Sequence, residues 1–159
     1  VLFEKDIDLP AGFEVRSLDP NHADQMIELL LHAQDGDADQ AAIRIAELPS
    51  VGIFEKATDK LVAFEYNDGI GSIAHQYVYP EYRGRGFGKA VEILLSRKNV
   101  TELGIRPAKC VAISRPKVQA ITSKAGYWTK LTNAKGEPAH VWWTIYSKTP
   151  KTPIQIFDN

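Results

Sequence analysis

The sequence contains one cysteine, Cys110, and no apolar run long enough to cross a lipid bilayer. A lone cysteine excludes an intrachain disulfide, so the cysteine content implies no oxidising compartment. The longest apolar runs, such as Leu29–Leu31, are interrupted by charged residues far short of the roughly twenty residues that a spanning helix needs. We therefore predict neither a disulfide framework nor a membrane-embedded segment.

An excess of charge of either sign is also missing. The chain has 19 Lys and Arg against 20 Asp and Glu, which gives a formal net charge of −1 over 159 residues. This balance offers no electrostatic reason to expect a nucleic acid or a membrane surface as a partner. With 44% hydrophobic and 25% charged residues, the composition is typical of one globular domain and not of a disordered chain.

The chain begins at Val1, not at a methionine, so we expect a fragment or a processed form. The lack of a targeting signal therefore says nothing about the parent protein or its compartment. We predict one domain over residues 1–148, followed by an irregular tail over residues 149–159 that has two prolines and no periodicity.

The hydrophobic periodicity predicts strands and helices in the order βααβββαβαββ. Asp19 and Pro20 predict the start of the first helix, as an N-cap and a first helical residue. The predicted strands cover residues 13–18, 51–55, 61–66, 70–79, 109–114, 127–131 and 139–146. The other predicted helices cover residues 38–48, 86–97 and 116–126. This order indicates an α/β protein of the α+β type, with a mixed, mostly antiparallel sheet of about seven strands and helices on both faces.

The most informative segment is a glycine-rich turn between the fourth strand and the next helix. Three glycines alternate there with other residues: Gly84, Gly86 and Gly88. Glycines allow successive backbone N–H groups to point into one concavity, and the helix start adds unsatisfied donors and a positive dipole end. Three cations accompany them: Arg83, Arg85 and Lys89. The pattern indicates a pyrophosphate site.

Other interpretations of this turn are weaker. A dinucleotide-binding fingerprint requires G-x-G-x-x-G in a parallel βαβ unit, whereas the order here is G-x-G-x-G after an antiparallel meander. A P-loop requires Gly-Lys-Ser/Thr, which does not follow. A glycine turn that binds nothing remains the alternative.

The motif Arg83-x-x-Gly86-x-Gly88 resembles the acyl-CoA signature Arg/Gln-x-x-Gly-x-Gly/Ala of the GCN5-related N-acetyltransferase superfamily, and the element order matches as well. Within that superfamily, several segments are similar to the C-terminal domain of glycine N-acyltransferases: Leu48–Val51, Phe64, Asp68, Gly71 and Tyr79–Arg83. The similarity runs from about residue 10 to residue 131. Those transferases have a further N-terminal half, so this chain is expected to be the CoA-binding half of such a parent.

The resemblance implies acetyl-CoA or another acyl-CoA as the bound substrate, a small amine as acceptor, and no metal. The backbone amides from Arg85 to Lys89 would hold the pyrophosphate. The end of the fourth strand would splay from a strand around residues 111–113 and pair with the pantetheine arm. The implied CoA-binding residues are Tyr77, Val78, Tyr79, Arg83, Gly84, Arg85, Gly86, Phe87, Gly88, Lys89 and Arg115.

The implied chemistry is direct attack of a neutral amine on the thioester carbonyl, with an N–H of the splayed strand stabilising the oxyanion. No covalent enzyme intermediate is needed, so we interpret Cys110 as a small buried strand residue and not as a nucleophile.

An aliphatic amine is mostly protonated near neutral pH, so a base must remove a proton. Glycine N-acyltransferases carry a glutamate at the position of Ser72, which is not a base but could hold a water. His75 has a suitable unperturbed pKa but points away from Ser72 unless a bulge intervenes. The alternative is a histidine that lies in the core or faces a helix, and a bulge would weaken that interpretation. Glu65, on the neighbouring strand, is either the base or a carboxylate at the rim of the site. Ser72, His75 and Glu65 are therefore the candidate catalytic residues.

Two further positions depart from the superfamily pattern. Arg115 stands where an asparagine is usual, either contacting CoA phosphates or solvated, and Thr122 stands where a tyrosine often protonates the leaving thiolate. Of Trp142 and Trp143, which alternate along one predicted strand, one is expected in the core and the other beside the acyl or amine site.

We predict an acyl-CoA-dependent N-acyltransferase that acts on a small amine such as glycine or another amino acid. The alternatives are an acyl-CoA-binding domain with little or no catalysis, and an acetyltransferase for a protein or a polyamine. The sequence indicates neither the oligomeric state nor the compartment.

Overall fold

A computed structural model of the chain describes residues 6–30 and 33–141. These residues divide into two compact units, with the boundary between Lys109 and Cys110. The first unit contains a sheet and three helices, and the second contains one helix. In the described ranges, no helix has both the length and the apolar composition that crossing a bilayer demands.

The sheet of the first unit has four antiparallel strands in sequential order. They are β1 (Phe13–Arg16), β2 (Ser50–Glu55), β3 (Lys60–Asn67) and β4 (Ile73–Val78). The connections of β2 to β3 and of β3 to β4 are short and rich in Asp, Thr and Gly, which favour tight turns. The predicted antiparallel meander is confirmed.

Four helices accompany the strands. They are α1 (Ala23–Ile27), α2 (Asp37–Glu47), α3 (Phe87–Leu103) and, in the second unit, α4 (Pro116–Lys124). The predicted cap is confirmed, because the Asp19 carboxylate accepts a hydrogen bond of 2.8 Å from the backbone N–H of Asn21. It opens a 3₁₀ turn over Pro20–His22 that leads into α1.

The helices of the first unit cover both faces of the sheet. On one face, α1 and α2 pack against buried side chains of β2 and β3: Phe54, Leu61, Phe64 and Tyr66. On the other face, α3 packs against β2, β3 and β4. Strand β3 is buried from Leu61 to Asn67, so polar side chains on it must find partners inside the protein.

The expectation of about seven strands is wrong for the described residues, which contain four. Residues 109–114 form no strand, and Cys110, expected to be buried, is exposed. A short apolar run becomes a strand only where a neighbour pairs its backbone, and Ile113 is 69% exposed. Just before this segment, the C=O of Ala108 accepts a hydrogen bond of 2.8 Å from the N–H of Ile73 in β4.

The predicted last strand pair is likewise not formed as a ladder in the described residues. A single bridge, Thr132 to Pro138, lies after the first predicted strand of the pair, residues 127–131. Most of the second predicted strand, residues 139–146, lies outside the described residues, and so do Trp142 and Trp143. Leu31, at the expected end of the first helix, also lies outside them.

Candidate functional site

The segment from Gly84 to Lys89, called the glycine loop below, follows β4 and a 3₁₀ turn over Pro80–Tyr82 and includes the first residues of α3. Gly84 and Gly86 have φ angles of 77° and 83°, in the left-handed region that favours glycine, and Gly86 is the N-cap of α3. A Cβ atom at either position would meet no other atom within 4 Å. The loop is therefore shaped by backbone conformation and leaves open space beside both glycines.

The backbone N–H groups of the glycine loop are free to bind an anion. Within the described part of the chain, none of the amides from Gly84 to Lys89 donates a hydrogen bond, and the first helical bond runs from Ala90 to the C=O of Gly86. They lie at the N-terminus of the 17-residue helix α3, where the dipole favours negative charge. Such a group of donors suits a phosphate or pyrophosphate.

Two arginines are held at the glycine loop by contacts that leave their charge available. Arg83 Nε donates to the C=O of Val78 at 3.0 Å, and its guanidinium lies 5.7 Å from the ring centre of Tyr77. The guanidinium of Arg85 lies 5.2 Å from the ring centre of Tyr82. Neither arginine forms an ion pair with a carboxylate among the described residues, and Lys89 is exposed.

Strand β4 is the edge of the described sheet. Tyr79 donates to the C=O of Val62 at 3.1 Å, and Val78 pairs with Ala63, so alternation directs the peptide groups of Val78 away from β3. The N–H of Val78 thus lies on a free edge that can accept an extended ligand. The implied splay of β4 from residues 111–113 stays a prediction, because those residues form no strand.

A β-bulge interrupts β4 at its centre. Tyr66 pairs with Ala74 and Phe64 with Tyr77, so two residues, His75 and Gln76, stand opposite Glu65 alone. His75 has a φ angle of 54°. The strict alternation of side chains along β4 that the sequence predicts is therefore wrong. The bulge places His75 on the same sheet face as Ala74.

His75 lies on the sheet face that α1 and α2 cover. Its ring stacks on Tyr66, with the ring centroids 4.7 Å apart and the planes inclined by 11°. Burial, and next the positive charge of Arg44, lower the pKa of His75 below its usual 6.5, against opposing effects of Asp68 and Asp37. The imidazole is therefore neutral near pH 7 and able to accept a proton.

Glu65 is not a rim carboxylate, because it is buried on the opposite face, toward α3, with 2% of its surface exposed. Its Oε2 accepts a hydrogen bond of 3.3 Å from Gln76 Nε2. Burial, and next the charge of Glu92, raise the pKa of Glu65 well above its usual range, and Lys109 opposes this rise. Glu65 and His75, both expected as candidate bases, therefore lie on opposite faces of the sheet.

Ser72 is half-buried just before β4 and is held through its backbone. Its N–H donates to Asp68 Oδ1 and its C=O accepts from the Asp68 N–H, both at 2.9 Å. Its hydroxyl has no hydrogen-bond partner among the described residues.

Arg115 is exposed at the start of α4, in the second unit, where its N–H donates to the C=O of Ala112 at 3.1 Å.

One residue that the sequence did not single out is Gln76. Its Nε2 also donates to the C=O of Gly88 at 2.9 Å, so it joins the bulge to the glycine loop. No local signal predicts this contact, because it depends on the bulge and on where α3 lies.

In the described ranges, no group of three or more His, Cys, Asp or Glu could hold a metal ion.

The structure is similar to several solved protein structures. A Drosophila protein of a structural-genomics project matches with a TM-score of 0.71 and 22% identity, over 82% of this chain and 44% of that one. An acetyltransferase of the GNAT family from Xanthomonas campestris matches with a TM-score of 0.55 and 17% identity, over 84% and 96%. The enzyme AAC(6')-Iy, solved with a bisubstrate analogue of CoA and acetylneamine, matches with a TM-score of 0.60 and 13% identity, over 84% and 99%.

This chain thus spans less than half the length of the Drosophila protein. A comparison with curated proteins found no match. The likeness to the solved structures shows the fold of the GCN5-related N-acetyltransferases. It does not extend to a particular closeness to glycine N-acyltransferases.

The family model described as FR47-like protein matches residues 50–134. This range covers more than half of the chain and includes the meander from β2 to β4, the glycine loop, α3 and α4. The chain therefore belongs to the FR47-like family and has the α+β fold of the GCN5-related N-acetyltransferases.

Proposed function

We propose that this chain binds an acyl-CoA at the glycine loop and transfers the acyl group to a small amine. The observation that carries the proposal is the set of backbone N–H groups from Gly84 to Lys89, which donate no hydrogen bond among the described residues. They lie at the start of α3, beside the guanidinium groups of Arg83 and Arg85, which form no ion pair with a carboxylate in that part of the chain. A pyrophosphate supplies the anionic oxygens that such donors bind. The CoA analogue bound by AAC(6')-Iy is further support.

The proposed transfer needs a donor for the oxyanion and an acceptor for the proton of the amine. A neutral amine attacks the thioester carbonyl, a C–N bond forms, and the C–S bond breaks to release the CoA thiolate. The amine loses its proton to the enzyme in the process. A backbone N–H at the free edge of β4 would stabilise the oxyanion, as donors aimed at developing charge do elsewhere.

We assign the proton acceptor to His75 in preference to Glu65 or Ser72. His75 is neutral near pH 7 because its pKa is lowered, and it stands at the bulge of the edge strand. Glu65 faces α3 and is bonded to Gln76, and a serine hydroxyl does not ionise near neutral pH. In this assignment Ser72 holds a water and takes no proton.

The acceptor we propose is glycine or another amino acid. The support is the sequence similarity to glycine N-acyltransferases around Leu48–Val51 and Tyr79–Arg83. Glucosamine 6-phosphate N-acetyltransferase from Arabidopsis thaliana, with a TM-score of 0.54, has the same fold, so amino sugars belong among the amines to be tested.

A second function, acyl-CoA binding with little catalysis, is favoured by one observation. Ser72 stands where the glycine N-acyltransferases carry their glutamate, and its hydroxyl has no partner among the described residues that could make it a base.

Two measurements in sequence test these functions. A thermal-shift panel of CoA thioesters shows whether the protein binds acyl-CoA and which acyl chain it prefers, because a ligand of the native state raises its melting temperature. Thiol release is then followed with glycine, other amino acids, polyamines and amino sugars. Stabilisation with thiol release supports the transferase, whereas stabilisation with no release from any amine supports the binding domain.

A further inference from the structure

The side chain of Gln76 is a bridge between the two parts of the proposed site. Its Nε2 donates to Glu65 Oε2 at 3.3 Å and to the C=O of Gly88 at 2.9 Å. An amide nitrogen has two hydrogens, so both are used. Gln76 is the second residue of the bulge, and Gly88 lies in the first turn of α3 within the glycine loop.

The bridge is anchored at both ends. Glu65 lies on β3 with 2% of its surface exposed. Gly88 approaches β4 closely, since a Cβ on it would lie 3.5 Å from Val78 Cγ2 and 3.8 Å from Gln76 Oε1. These are ordinary van der Waals distances, so the first turn of α3 lies directly against the β4 bulge.

We propose that Gln76 is a positioning residue that, held by Glu65, fixes the glycine loop relative to the β4 bulge. This inference rests on the proposed function, in which the loop holds the pyrophosphate and the bulge lies beside the thioester. The pyrophosphate and the thioester belong to one acyl-CoA molecule. A fixed distance between the glycine loop and the bulge therefore places the thioester carbonyl beside the bulge when the pyrophosphate binds to the loop.

Gln76 is suited to a test because its side chain lies at the protein surface. Substitution by methionine keeps the length and removes the amide, with little cost in packing. We expect Gln76→Met to bind CoA about threefold to tenfold more weakly, the effect of one or two lost hydrogen bonds, and to lower kcat as well. The matched control is Gln25→Met, at an exposed glutamine on α1.

A second measurement needs no ligand. The amides from Ala90 to Glu92 bond to the carbonyls of the glycine loop, the last of them to Gly88. We expect their hydrogen exchange to become faster in Gln76→Met and to stay at the wild-type rate in Gln25→Met. Glu65→Gln keeps an oxygen acceptor and should retain wild-type exchange and affinity, whereas Glu65→Leu should resemble Gln76→Met.

The outcomes separate the two proposals. Wild-type exchange together with wild-type affinity in Gln76→Met would overturn the positioning role and leave the proposed function standing. Failure of the wild-type protein to bind any acyl-CoA would overturn the proposed function, and the exchange measurement would still decide whether Gln76 fixes the loop. A lower melting temperature with unchanged CoA affinity, kcat and exchange would show a structural contact only and would also overturn the inference.

Discussion

His75 lies almost parallel to Tyr66, with 4.7 Å between the ring centroids, although Tyr66 pairs with Ala74 across the sheet and not with His75. The stack depends on the bulge, which turns His75 onto the same sheet face as Ala74. A histidine in the left-handed region, with φ of 54°, is held there by its surroundings at some cost in backbone energy. We therefore connect this residue with function.

The first prediction concerns His75→Ala. Loss of a positioned base should lower the rate of amine acylation about a hundredfold to ten-thousandfold near neutral pH. Since the pKa of His75 lies below 6.5, the wild-type rate should not depend on the protonation of His75 above about pH 6.5. The difference in rate between His75→Ala and wild type should become smaller at high pH, because the amine then loses its proton without a base. Initial rates of thiol release across pH provide the measurement. His140→Ala, at an exposed histidine, is the control.

The second prediction concerns Ser72. Its backbone makes the contacts with Asp68 and its hydroxyl has no partner in the described chain, so Ser72→Ala should change the rate by less than about threefold, far below the effect of losing a base. Ser72→Glu should bring no large gain if His75 is the base. An increase of tenfold or more in thiol release by Ser72→Glu would show instead that the wild-type protein lacks a base.

The third prediction is a pH dependence of stability from Glu65. The pKa of Glu65 is raised in the folded state, so between about pH 4.5 and the folded pKa the unfolded chain ionises this group and the folded protein does not. The free energy of unfolding therefore falls as the pH rises through that window. Over that window the loss has a limiting slope of about 1.4 kcal/mol per pH unit. Glu65→Gln removes this dependence and should be more favourable relative to wild type at pH 8 than at pH 5. Chemical denaturation at both pH values, with exposed Glu47→Gln as control, measures it; an equal difference at both would contradict it.

How much of this could be predicted from sequence differs between the backbone and the side chains. The three closely spaced strand segments and the turn residues between them predicted the meander from β2 to β4, and the three glycines predicted the loop at the start of α3. The bulge at His75 could not be predicted, because it depends on pairing with Glu65 and carries no glycine to signal it. The burial of Glu65 was missed for the same reason, since the position of α3 decides which face of β3 is covered.

The fourth prediction concerns a buried amide pair between β3 and α3. Asn67 and Asn99 are fully buried and each donates to the other's side-chain oxygen at 2.8 Å, while Asn67 also donates to the C=O of Pro49 at 3.0 Å. Asn67→Ala would remove both hydrogen bonds of the pair and the side-chain donor to the Pro49 carbonyl. It would leave Asn99 Nδ2 with only its longer bond of 3.4 Å to the C=O of Gly71, so it should cost about 2–3 kcal/mol of unfolding free energy. Exposed Asn21→Ala should cost much less. Urea denaturation of both variants gives the comparison.

The central claim, that the glycine loop binds the pyrophosphate of an acyl-CoA, is tested most directly by calorimetric titration of acetyl-CoA into Gly86→Asp. The substituted carboxylate would occupy the open space beside Gly86 and repel the pyrophosphate, so we predict binding weakened by about a hundredfold or more. Gly86→Asn adds a neutral side chain of the same shape at the same φ of 83° and should lose less affinity, while Gly136→Asp, at a φ of 80° in an exposed turn, should bind as the wild-type protein does. Equal affinity of Gly86→Asp and wild type, or no binding of acetyl-CoA by the wild-type protein, would contradict the claim.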